Sequence, residues 1–192
     1  MEEIKYRNYI LRNYNDLPQM KNLSEEEREA IGVVGQVLPF KANNYVVEQL
    51  IDWNNIPNDP IYTLTFPRKE MISKANYKEV KKLIDANDDA GLKQKVFDIR
   101  MSLNPNPAGQ ETNVPKVDGI KLHGMQHKYR ETVLFFPSQG QTCHAYCTFC
   151  FRWPQFAGMN DLKFAMKEAD LLHRYLLKHR KVTDVLFTGG DP

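Results

Sequence analysis

The last third of the chain reads as strand, loop, helix, strand, and that order restricts the fold more than any other feature. "ETVLFF" (131–136) is a short apolar run of the kind that fills a buried strand. "DLKFAMKEADLLHRYLLKHR" (161–180) spaces its apolar residues as an amphipathic helix does, and "VTDVLFTGG" (182–190) is a second strand ending in two glycines. Two parallel strands need a crossover between them, so such units belong to parallel sheets and barrels, and the expected fold class is α/β. Ligands in those folds sit at the carboxyl ends of the strands. The loop after the first strand and the terminal "TGGDP" both fall there.

The part before this unit reads as mainly helical. In "NLSEEEREAIGVVGQVL" (22–38), Ser24 with Glu27 three residues on forms a capping box, acidic residues fill the first turn and Pro39 ends the helix. "NNYVVEQLIDW" (43–53) is expected as a shorter helix, "NNIPNDPIY" (54–62) as a break, and "KANYKEVKKLID" (74–85) as a third helix. "NPNPAGQETNVPKVDGI" (104–120), rich in Pro, Gly and Asn, is the expected linker. The expected division is a helical region with linker over 1–118 and the strand-helix-strand unit over 119–192.

Charge and hydropathy exclude several classes. Lys and Arg number 26 against 24 Asp and Glu, a net +2 that supports no nucleic-acid partner. The start, "MEEIKYRNYI", is acidic where a secretory signal is basic, and no apolar run approaches the roughly 18 residues of a membrane span. The expectation is a cytoplasmic protein without a membrane partner.

All three cysteines lie in "CHAYCTFCFR" (143–152), with the spacing C-x3-C-x2-C at Cys143, Cys147 and Cys150. A disulfide framework is disfavoured: thiols this close mostly miss the required geometry, and an odd one is left over. Iron–sulfur clusters are held by Cys thiolates, and a [4Fe–4S] cube takes four ligands. Three leave one iron open to a substrate or cofactor. A Cys3His zinc site using His144, His127 or His123 is the alternative, although zinc motifs usually pair C-x2-C with a second pair that is absent here. Buried unliganded cysteines fit the polar flanks Gly140, Gln141, Thr142 and His144 poorly.

The triplet, with Phe149 just before its last cysteine, resembles the signature of the radical S-adenosylmethionine (SAM) enzymes. Their second element, a glycine pair after the second strand followed by an acid, is matched by Gly189, Gly190 and Asp191, beginning 39 residues after Cys150. "HKYRETVLFFPSQGQTCHAYCTFCFR", "FAG", "VTDVLFTGGDP" and, further upstream, "NDPIYTLTFP" narrow the resemblance to the lysine 2,3-aminomutase branch, over about Pro57 to Pro192.

The resemblance implies a helical N-terminal region followed by the start of a partial (β/α) barrel. It implies a cluster on Cys143, Cys147 and Cys150 that binds SAM at its open iron and cleaves it reductively, giving methionine and a 5′-deoxyadenosyl radical. Phe149, Gly189, Gly190 and Asp191 are then SAM-binding residues, the glycines because a side chain would block the approach of the backbone. Lys128 and Tyr129 match residues that contact pyridoxal 5′-phosphate (PLP), and Arg152 matches the arginine that grips the substrate carboxylate with its planar fork. The implied partners are an amino-acid substrate, an electron donor such as flavodoxin or ferredoxin, and a possible second copy of the chain. The implied reaction is migration of an amino group to the neighbouring carbon, an isomerisation.

The sequence departs from the branch at Thr148, where lysine aminomutases carry an arginine, and at Trp153-Pro154, where they continue basic. A barrel takes roughly 200 residues or more, and only 73 lie between Ile120 and Pro192. The expectation is therefore an N-terminal fragment ending after the second strand, without turnover by itself. Two other readings stand beside this one: a radical SAM protein without PLP that abstracts a different hydrogen, and a non-catalytic zinc or iron–sulfur module.

Overall fold

A computed structural model describes residues 6–103, 112–143, 145–147, 150, 153 and 164–189. The chain divides into two compact units, one made of residues 1–103 and 144–150, the other of 104–143 and 151–192.

In the first unit, β1 (Asn8–Ile10) is followed by α1 (Glu25–Val37), β2 (Lys41–Asn43), α2 (Pro60–Thr65), α3 (Lys74–Asp85) and α4 (Asp89–Leu103). The start of α1 is the expected capping box: Glu27 N–H donates to Ser24 Oγ at 3.2 Å, and Ser24 N–H donates to Glu27 Oε2 at 2.7 Å. Its other end leaves carbonyls without helical partners. Arg100 of α4 supplies donors there, Nε to Val37 O at 2.7 Å and Nη2 to Gln36 O at 2.9 Å. A cation at this end also suits the helix dipole.

Two faces of α1 are buried. Ile31 packs into a cluster with Tyr9, Phe40, Tyr62 and Phe66, while Val34 and Val37 pack with Tyr77, Val80, Val96 and Ile99 of α3 and α4. In the first cluster Tyr62 and Phe66 stack at 4.9 Å, with Trp53 edge-on to both. β1 and β2 pair antiparallel, Asn8 opposite Asn43 and Ile10 opposite Lys41.

Helix α3 spans 74–85 as the spacing predicts, capped by Ser73. The stretch 43–53 is not one helix: a single π turn over Val46–Leu50 gives way to extended backbone at Ile51 and a short 3-10 turn at Trp53–Asn55. Local side-chain bonds displace the helical ones. Asn43 Oδ1 accepts from Val46 N–H, and the Trp53 indole N–H takes Val47 O at 2.7 Å. The predicted break at 54–62 contains the start of α2, because Asp59 and Pro60 are an N-cap and a first helical residue. The Asp59 carboxylate, 5% exposed, accepts from Tyr62 N–H and Asp52 N–H. Helix α4 was not expected; the turn into it places Asn87 at φ +52°.

In the second unit, β3 (Lys116–Val117), β4 (Ile120–Lys121), β5 (Met125–Gln126), β6 (Thr132–Phe135), α5 (Ala169–Lys178) and β7 (Asp184–Phe187) follow in order. The predicted linker is therefore partly structured: 104–111 lie outside the described residues, but β3 and β4 form a hairpin whose central Asp118 and Gly119 have φ +51° and +79°. Asp-Gly adopts this left-handed two-residue turn readily. β5 pairs antiparallel with β6, and β6 pairs parallel with β7, Thr132 opposite Asp184 through Phe135 opposite Phe187. The order β5-β6-β7 with α5 between the parallel pair is the expected strand-helix-strand unit.

Helix α5 is shorter than predicted. Within 161–180, residues 161–163 lie outside the described residues, Phe164–Met166 run extended, and the helix covers only Ala169–Lys178. Met166 bridges Pro137 in parallel, with Met166 N–H on Phe136 O at 2.9 Å and Ser138 N–H on Met166 O at 3.0 Å. Phe164 packs edge-on against Phe136. Strand-like pairing thus takes the apolar residues that helical spacing had claimed. The backbone approach is close at Gly124 (φ +116°), where a Cβ would lie 2.5 Å from Ala165 C and Met166 N. From α5, Leu172 and Tyr175 join Leu122, Met125, Val133 and Phe135 in the core of this unit. Arg174 and Lys178 of α5 bind the carboxylate of Asp118, which lies below the usual carboxylate range because Lys178 and Arg174 donate to it.

Replacing the α1 cap, Ser24→Ala, is predicted to lower stability by about 1 kcal/mol, read as a reduced urea midpoint with an unchanged slope.

Candidate cysteine-loop site

The second unit brings the two motif-bearing strand ends together. From the end of β6 the chain passes Phe136 and Pro137, makes a short turn over Ser138–Gly140, and reaches Gln141, Thr142 and Cys143. Beside it β7 runs out through Thr188 to Gly189, with Thr188 N–H on Phe135 O at 2.9 Å and Phe187 edge-on to Phe135 at 5.5 Å. Gly189 is buried at φ +126°. A Cβ there would lie 2.4 Å from Gln141 Nε2, so both backbone conformation and space require glycine.

The amide of Gln141 joins these two strand ends. Its Nε2 donates to Pro137 O at 2.9 Å and reaches Thr188 O at 3.4 Å, while Oε1 is buried and has no hydrogen-bond partner.

The cysteines divide between the units: Cys143, half-buried, belongs to the second, whereas exposed Cys147 and half-buried Cys150 belong to the first. None is disulfide-bonded. Cys150 N–H donates to Cys147 O at 3.1 Å. Tyr146 anchors this segment in the first unit, its N–H on Leu64 O at 2.7 Å and its hydroxyl on Pro39 O at 2.8 Å. Burial pushes the Tyr146 phenol above its ordinary pKa. Among the described residues, no three His, Cys, Asp or Glu side chains gather closely enough to hold a metal ion.

Phe149, Arg152, Gly190 and Asp191, like His144 and Thr148, lie outside the described residues. Lys128 and Tyr129 occupy an exposed turn before β6, the Lys128 ammonium 5.6 Å from the Tyr129 ring centroid. That turn is held to α5 by His127, whose Nδ1 meets the Tyr175 hydroxyl at 2.5 Å and whose Nε2 lies 3.5 Å from Arg130 O. His179 stacks on Tyr175 at 3.8 Å. With both ring nitrogens so engaged, His127 is poorly disposed to serve as a zinc ligand.

Sequence reasoning missed the roles of Gln141 and Tyr146. A polar amide two residues before the first cysteine and an aromatic residue just before the second were visible signals, but their partners are distant in sequence. A separate cleft of about 350 Å³ in the first unit is lined by Tyr62, Arg68, Lys69 and Glu70, among others. It contains none of the expected site residues. No described helix is long and apolar enough to cross a membrane.

No family model matches the chain. It is 30% identical over 177 residues to a putative L-lysine 2,3-aminomutase of Aquifex aeolicus, covering 92% of this chain and 37% of that protein. It is 25% identical over 183 residues to the L-lysine 2,3-aminomutase of Bacillus subtilis, with 95% and 31% covered. With the L-lysine 2,3-aminomutase of Fusobacterium nucleatum it shares 28% identity over 181 residues, covering 94% and 34%. The chain thus spans about a third of the length of the curated relatives it matches. Homologues named L-lysine 2,3-aminomutase along most of the chain support its place among the radical SAM proteins. Within that class the chain belongs to the lysine 2,3-aminomutase-like branch.

Tyr146→Phe, which leaves Pro39 O without its donor, is predicted to cost about 1 kcal/mol or slightly more, measured by urea unfolding monitored at the aromatic residues.

Proposed function

We propose that this chain contributes the cluster-bearing part of a radical SAM aminomutase acting on an amino acid. The observation that carries the reading is the parallel β6–β7 pair, whose carboxyl ends lead to the Cys143 loop and to Gly189 and are joined by Gln141. This β-α-β unit is the opening of a partial (β/α) barrel, with ligands bound at the carboxyl ends of its strands.

The donor set suits the chemistry: three thiolates are ligands for a [4Fe–4S] cluster, and three rather than four leave one iron for SAM. The buried, left-handed Gly189 fits the close approach of a ligand to the backbone, and the unpaired Gln141 oxygen is an acceptor suited to an ammonium group. When bound, the cluster supplies the electron that cleaves SAM, and PLP stabilises the unpaired electron on the amino acid during amino-group migration.

Cys143, Cys147 and Cys150 hold the cluster in this reading. Phe149, Gly189, Gly190 and Asp191 bind SAM, with Asp191 accepting hydrogen bonds from its ammonium. Lys128 offers positive charge to the PLP phosphate and Tyr129 an aromatic face, both from the turn that His127 ties to α5. Arg152 grips the substrate carboxylate. Electrons come from a flavodoxin or ferredoxin, and the site of action is the cytoplasm.

Metal analysis tests the reading. After anaerobic reconstitution the protein is predicted to hold about four iron and four sulfide per chain, and Cys147→Ala to lose most of them. One tightly held zinc and no iron would replace this reading with a structural metal module.

A further inference from the structure

The amide of Gln141, whose oxygen is an unpaired acceptor, has specific surroundings. The orientation of its amide is determined by two acceptors: Pro137 O and Thr188 O both face Nε2, so exchanging the amide oxygen and nitrogen would set oxygen against carbonyl oxygen. The whole amide lies against Gly189, where the Cβ of any other residue would be 2.4 Å from Nε2 and 2.7 Å from Oε1. Oε1 is buried there without a donor. A buried acceptor left unpaired is unfavourable, and such atoms in native structures call for an explanation.

The three residues that this amide relates each serve a different element. Pro137 lies two residues past β6 and pairs with Met166, Thr188 directly follows β7, and Gln141 itself lies two residues before Cys143. One side chain thus relates the entry to the cysteine loop to Thr188 and Gly189 at the end of β7.

We infer that Gln141 is a positioning residue that locks the entry to the cysteine loop onto the end of β7 and presents Oε1 as an acceptor for the ammonium group of the molecule bound there. On the proposed function, on which this inference rests, that molecule is SAM and the group is its methionine ammonium. Gln141 would share the cation's donors with Asp191 while fixing the position of Gly189. The interaction exists for ligands that carry the ammonium and for no others.

The test uses the full-length protein, reconstituted anaerobically, with SAM and methylthioadenosine as paired probes; the second retains the adenosine and sulfur but lacks the amino-acid end. Binding is measured by equilibrium dialysis, iron content by metal analysis, and amide exchange at Thr188 and Gly189 in the cluster-free protein. For Gln141→Ala the expected result is wild-type iron content, faster exchange at both amides, and SAM binding weakened about tenfold, the equivalent of one hydrogen-bonding group, with methylthioadenosine binding unchanged. If that variant folds poorly, Gln141→Met keeps the shape without the amide and carries the same expectation. Unchanged SAM binding, or an equal loss for both probes, overturns the inference and leaves the functional reading standing. A wild-type protein that takes up the cluster yet does not bind SAM overturns both.

Discussion

Four residue pairs, Thr132 with Asp184 through Phe135 with Phe187, join β6 to β7 in parallel, and the rest of the second unit is arranged to make that pairing possible. Parallel strands cannot be joined by a tight turn. The crossover is supplied by the extended Phe164–Met166 segment and then by α5, which lays Leu172 and Tyr175 onto Val133 and Phe135. On the other side β5 covers the edge of β6, leaving β7 as the edge strand with Leu186 and Phe187 exposed at 54% and 59%. An apolar edge of this kind is suited to further sheet pairing. Because the pair is parallel, both strands present their carboxyl ends on the same side, and Cys143 and Gly189 follow from those ends.

The first unit is organised around α1 rather than around a sheet. One helix buries two faces, against an aromatic cluster and against the α3–α4 pair, so its ends must be well satisfied. The Ser24–Glu27 box supplies one end and Arg100, from a helix more than sixty residues later, supplies the other. Burial lowers the pKa of Arg100, yet its donors replace the water that those carbonyls lose. Cys147 follows Tyr146, whose two bonds reach Pro39 just beyond α1 and Leu64 in α2.

Much of this was legible in the residues. Strong local signals were read correctly: the capping box of α1, the span of α3, and two strands flanking a helix in the last third. Signals whose outcome depends on remote partners were not. The apolar residues Phe164 and Met166 have helical spacing, but Phe136 and Pro137 offer strand-like partners and shorten the helix. Val46 to Trp53 looked helical until Asn43 and the Trp53 indole took its backbone groups. The Asp-Gly hairpin at 118–119 and the Asp59-Pro60 helix start carried recognisable local chemistry and were hidden by their Pro- and Gly-rich surroundings. At the site, the cysteine spacing and glycine pair were visible as motifs, whereas Gln141 and Tyr146 looked like ordinary flanking residues.

Residue order alone determined the class of structure and the thiol spacing: apolar runs of strand and helix length dictate a β-α-β unit, and C-x3-C-x2-C puts three soft sulfur donors within eight residues. Only the tertiary structure decided which groups meet. Gly189 requires glycine because an amide 48 residues earlier occupies the space of its Cβ, and that amide is held by carbonyls at the ends of two different strands. Hydrogen-bond geometry of this kind depends on distances across the fold, which spacing along the chain does not encode.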